Sequence, residues 1–179
     1  MDKERKTGNS PVDQRIVKVN GKKYTSYYFP LNQAPPDEAG VLVDFYHLWR
    51  NSNLEKDIPS RKDLPFEKLT GWHSYIRIVD MENSTPKEDK IIVSGERFNE
   101  YFGKQTMRTE INNREETDAA VLEEYQEFLN HIHNGQYAFV IGHAPNIDSR
   151  LHRVIWLDLP LSNDGTNVSH LLSVLVPLK

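Results

Sequence analysis

The stretch from Arg153 to Leu178 constrains the fold more than any other part of the chain. It reads RVIWLDLPLS, then NDGT, then NVSHLLSVLVPL: two runs rich in Val, Ile, Leu and Trp around an Asn163-Asp164-Gly165 turn signal. Asn, Asp and Gly tolerate the backbone of a tight reversal, so the pattern predicts a β-hairpin. In the first run Ile155, Leu157, Leu159 and Leu161 alternate with Trp156 and Asp158. In the second, Leu172, Val174 and Val176 alternate with Leu171, Ser173 and Leu175. A pair this apolar belongs in the centre of a sheet, with one face under helices.

The other elements follow from periodicity. Arg15–Val19 and Lys22–Phe29 flank Asn20-Gly21 and predict a second, weakly apolar and peripheral hairpin. Pro30–Pro36 reads as a linker. Asp37 is the expected N-cap of a helix to about Asn51, with Val41, Leu42, Phe45, Leu48 and Trp49 on one stripe. That stripe can cover the domain's own sheet or the same helix of a second subunit. Asp63 is expected to cap a short helix with Pro65 in its first turn. Trp72–Met81 and Lys90–Ser94 predict two strands. Phe98, Tyr101 and Phe102 mark a short helix between Gly95 and Gly103, and Thr117 starts the longest helix, to about Asn134. Its expected seam is Val121, Tyr125, Phe128 and Ile132, widened by Leu122 and Leu129. Tyr137–His143 is a further strand. Counted without the N-terminal hairpin, the order predicts an α+β fold: a five-stranded antiparallel sheet with helices on one face.

Composition narrows the function classes. At 179 residues the chain fits one domain with an extension: an N-terminal arm, 1–36, and a main domain, 37–179. A net charge of −4 argues against a dedicated nucleic-acid binder, although residues 1–23 hold seven Lys/Arg against three Asp/Glu. With no cysteine there is no disulfide, thiolate metal site or cysteine nucleophile. No apolar run approaches a membrane span, and the N-terminus MDKERKTGNS lacks a secretory h-region. A cytoplasmic location is therefore expected.

Three segments resemble a PAS sensory domain, specifically the short stand-alone PAS proteins of alphaproteobacteria. They are Pro59-Ser60-Arg61-Lys62-Asp63-Leu64-Pro65 before the first strand, the aromatic helix between Gly95 and Gly103 followed by Thr106, and Leu159–Gly165 with Val168–Leu178. The resemblance covers Val41 to Lys179. Glu96 and Met107 depart from it, standing where a small hydroxyl residue and a glycine are usual. It implies a sheet order of 2-1-5-4-3 and a pocket between the sheet and the short helices. The implied lining residues are Ile76, Ile78, Phe98, Phe102, Met107, Phe128, Phe139, Trp156 and Val174.

The expected function is thus a non-enzymatic sensory domain that binds a small molecule, a signalling partner or both, and signals by helix–sheet repacking. A homodimer through Val41, Phe45, Leu48 and Trp49 is expected. No cofactor is identifiable. Two alternatives stand beside this: a small hydrolase-like or metal-dependent enzyme using His143, Asp148 and His152, and a purely structural interaction module whose pocket is filled by its own side chains. His131 and His133 lie two apart on a helix and so point in different directions, which disfavours a shared metal ion. No phosphate-binding glycine loop or nucleophile elbow is present.

Overall fold

The structure is a computed structural model that describes residues 10–19, 21–84, 89–105, 119–147 and 152–178. Among these residues the alternating segments form seven strands: β1 (Asp13–Val19), β2 (Lys22–Pro30), β3 (Ile76–Asp80), β4 (Lys90–Ser94), β5 (Gln136–His143), β6 (Arg153–Leu161) and β7 (His170–Pro177). Three α-helices accompany them: α1 (Leu42–Arg50), α2 (Glu96–Phe102) and α3 (Ala119–His133). The strands make one antiparallel sheet in the order β1-β2-β5-β6-β7-β3-β4.

This overturns the five-stranded PAS-like sheet. The last five strands occupy the contiguous run β4-β3-β7-β6-β5, but the sheet continues past β5 into β2 and β1. The N-terminal hairpin is no peripheral arm. Tyr24 to Pro30 pair with Gly142 to Gln136 along β5, and Tyr24, Tyr28 and Phe29 are buried. Its backbone satisfies the edge of β5, which would otherwise leave a row of unpaired polar groups.

The helices do not share one face either. Period-2 alternation sorts each strand into two cores. Ile76, Ile78, Leu157, Leu159, Leu172 and Val174 share one core with Leu42, Phe45 and Trp49 of α1. On the opposite face Tyr24, Tyr28, Val140, Val154, Trp156 and Leu175 share a second with Phe98. There α2 lies against β7, and α3 against β5 and β1.

The expected dimer stripe is therefore redirected. Phe45 and Trp49 have no exposed surface. The Trp49 indole N–H donates to the Pro160 carbonyl at 3.0 Å, fixing α1 to β6. Leu48 packs partly buried against the same core, and only Val41 stands out, at 55% exposed. Two full aromatic side chains taken inside the chain's own core are not surface for a second subunit.

Local starts and stops differ in detail. Asp37 opens a 3-10 turn, Asp37–Ala39, and α1 begins separately at Leu42 without a side-chain cap. Asp63 does not cap the following 3-10 helix, Phe66–Leu69. It turns back to accept bonds from the Ser60 backbone N–H, the Ser60 hydroxyl, Asn53 and Lys56. These donors hold its carboxyl well below the usual carboxylate range, against the opposing effect of burial. Leu122 is 46% exposed, so it does not widen the seam of α3, and Thr117 lies outside the described residues.

Candidate ligand cavity

A polar row crosses the face that carries α2 and α3. In register from β4 to β1 it runs Ser94, Arg77, Ser173, Asp158, Ala138, Tyr28 and Asp13. Residues aligned across an antiparallel ladder point to the same side, so these side chains form one belt. The neighbouring row is apolar over Leu175, Trp156 and Val140 and ends in Ser26 and Arg15.

Arg77 anchors one end. It is 2% exposed. Its Nε donates to the Ser94 hydroxyl at 3.0 Å, and its Nη atoms donate to Asn99 Oδ1 at 3.0 Å, to the Gln105 carbonyl at 3.2 Å and to the Gly103 carbonyl. The guanidinium carbon lies 4.5 Å from the Phe98 ring centre and 5.5 Å from that of Phe102. A buried arginine is stabilised by such a set of acceptors and ring faces, and here the set ties the end of α2 to the sheet.

Asp158 sits in the middle of the row and is 8% exposed. The Trp156 indole N–H donates to Oδ2 at 3.0 Å, and the Ser173 hydroxyl donates to Oδ1 at 2.5 Å. Burial outweighs these two bonds and pushes the carboxyl up to about 6. Among the described residues no cation pairs with it. The neighbouring Tyr28 hydroxyl is pushed above its usual range, by burial first and then by the charge of Asp158.

At the other end the hairpin clasps α3. Tyr28 stacks on His131 with ring centres 3.8 Å apart, and His131 meets Asp13 at 3.0 Å and Gln136 at 2.5 Å. Arg15 grips Glu124 through Nε at 2.9 Å and Nη2 at 2.8 Å. Between these anchors lies a cavity of about 170 Å³. Its walls are aromatic: Tyr24, Tyr28 and Trp156 from the sheet, Phe98 and Phe102 from α2, Tyr125 and Phe128 from α3. Asp158 and Ser173 stand in its floor. Gly142 makes room for one wall, since a Cβ there would come within 2.4 Å of the Tyr24 ring.

Of the nine lining residues expected from sequence, Phe98, Phe102, Phe128 and Trp156 come together here. Ile76, Ile78, Phe139 and Val174 lie across the sheet in the core under α1. Met107 lies outside the described residues. Sequence reasoning missed Arg77, Asp158, Ser173, Tyr24 and Tyr28. The signal available was Arg77 and Asp158, charged letters set between apolar neighbours in β3 and β6.

The histidine alternative falls only partly within the described residues: His143 and His152 lie at the same end of the β5–β6 pair. His143 ends β5 and receives the Lys23 backbone N–H on Nδ1 at 3.4 Å, while His152 is exposed. Asp148 lies outside the described residues. Among the described residues no group of three His, Asp or Glu side chains is placed to hold a metal, and no helix is long and apolar enough to cross a membrane. No protein-family model, no curated protein and no solved structure matches the chain.

Proposed function

We propose that the chain is a non-enzymatic binding domain for a small, mainly apolar molecule held between the sheet and the α2/α3 layer. The observation that carries this reading is the cavity of about 170 Å³ with aromatic walls and a buried carboxylate in its floor. A cavity of comparable volume, roughly 150 Å³, suffices to bind benzene in a protein core. An interaction module with its pocket filled by its own side chains needs no such space.

The anchors supply a route from occupancy to signal. Helix α2 is held by the Arg77 set, and α3 by the Arg15–Glu124 pair and the His131 contacts. A ligand that touches Phe98, Phe102 and Phe128 favours whichever packing of these helices it fits best, and shifts the population toward it.

Native mass spectrometry of the purified chain tests the reading. A bound small molecule that leaves on denaturation is expected. So is thermal stabilisation by fitting apolar probes, on the order of 5–10 °C at ~100-fold excess over Kd. A bare mass together with no stabilisation by any probe of benzene size or larger rejects it.

A further inference from the structure

Resting on that reading, we infer that the cavity takes an organic cation: an ammonium group on an aromatic or branched apolar body, with the charge at Asp158. Two separate features of the cavity converge on this class.

The first is the state of its charged groups. Arg77, Asp89, Glu124 and Asp158 line the cavity. Arg77 is engaged with Ser94, Asn99 and the Gly103 and Gln105 carbonyls. Glu124 is bonded by Arg15. Among the described residues Asp158 accepts one bond on each oxygen, from Trp156 and Ser173, both neutral donors. A carboxylate can accept about four bonds, so acceptor capacity remains on this group. Its burial leaves its charge poorly solvated, and a cation brought beside it restores what water no longer supplies. An anionic ligand would meet the opposite situation, a like charge in the floor and an arginine already engaged.

The second feature is the wall. Tyr24, Tyr28, Phe102, Phe128 and Trp156 line the space. Ring faces attract ammonium groups, and desolvated ones do so most. Aromatic walls alone suit any flat apolar molecule, and a buried carboxylate alone suits any hydrogen-bond donor. Together they select a molecule that is both apolar and positively charged. A volume of about 170 Å³ has room for one ring with a short side arm, by comparison with cavities that hold benzene.

The test compares three probes of nearly equal shape on the full chain: 2-phenylethylamine, 2-phenylethanol and phenylacetate. The Trp156 indole N–H, followed by NMR, is a local reporter because it donates to Asp158 and lines the cavity. At pH 7.5 the amine is expected to bind at least tenfold more tightly than the alcohol, with phenylacetate weakest. The titratable and charged groups that line the cavity with Asp158 are Tyr24 and Tyr28 from β2, Arg77 from β3, Asp89 just before β4, and Glu124 and Tyr125 from α3. Protonation of Asp158, its carboxyl being pushed up to about 6, removes the attraction. The amine should therefore lose about tenfold in affinity between pH 7.5 and pH 5, while the alcohol changes little. In Asp158→Asn the amine's advantage over the alcohol should vanish. If that variant does not fold, the pH series on the wild-type chain decides alone. An alcohol that binds as well as the amine, or a tightest phenylacetate, overturns the cation assignment and leaves the cavity reading standing. No response of the Trp156 indole to any probe overturns both.

Discussion

At Asp158 the folded chain holds a carboxyl group against its own solvation. Its value rises from 3.8 to about 6, a shift on the order of 3 kcal/mol at 1.36 kcal/mol per unit. The folded state thus binds this proton more tightly than the unfolded one. The stabilising contribution is full below about pH 4 and is lost as the pH rises through about 6. Asp158→Asn removes the charge and keeps both contacts: its Oδ1 accepts from Trp156, and its amide donates to the Ser173 hydroxyl, which turns to accept. The variant should be more stable than wild type by about 1–2 kcal/mol at pH 7.5 in urea melts. The gap should close toward pH 4. Equal destabilisation at both pH values would show that the two hydrogen bonds, and not the buried charge, dominate at this residue. A residue that costs stability where it stands is the kind of position a binding site retains.

Among the elements, α1 carries the largest single anchor of its core. Trp49→Ala removes a fully buried indole and leaves the Pro160 carbonyl without its donor. A loss of about 3–5 kcal/mol is expected, seen as a lowered urea midpoint in circular dichroism. Sedimentation should show no change in association of the folded fraction, because the side chain serves the chain's own sheet. The sequence made α1 visible through the spacing of Leu42, Phe45 and Trp49, but an amphipathic stripe does not say which surface it covers. The β6–β7 pair was visible for a local reason, since its alternation and turn signal lie within one short stretch. The β1–β2 hairpin is legible as a hairpin, but its weak apolar content gives no sign of its place inside the sheet. Only Tyr24, Tyr28 and Phe29 of β2 turn fully inward, and their partners on β5 lie far along the chain. The cavity was half legible for the same reason. Aromatic letters on α2 and α3 marked themselves, while Arg77, Ser173 and Asp158 become neighbours only through the pairing of β3, β7 and β6.

For the whole molecule, the hairpin walls the cavity as well as extending the sheet. It supplies Tyr24 and Tyr28 to the wall and holds α3 through Arg15 and Asp13. Removal of residues 1–30 should expose the β5 edge, so the truncated chain is expected to self-associate at micromolar concentration in size-exclusion chromatography. It should also lose any response of the Trp156 indole to small apolar probes. A monomeric truncated chain with an unchanged response would mean that β5 and α3 hold their places unaided.

The sheet order also sets a timetable. The Lys22 ammonium in the hairpin bonds the carbonyl of Ile147, 125 residues further along the chain. At roughly 5–20 residues per second of synthesis, the hairpin waits on the order of 6–25 seconds before the strand it pairs with exists. A pairing across so long a loop is intrinsically slow to form. During that interval Tyr24, Tyr28 and Phe29 have no core to enter, so a nascent chain offers them to chaperones and proteases before it can offer a cavity to any ligand.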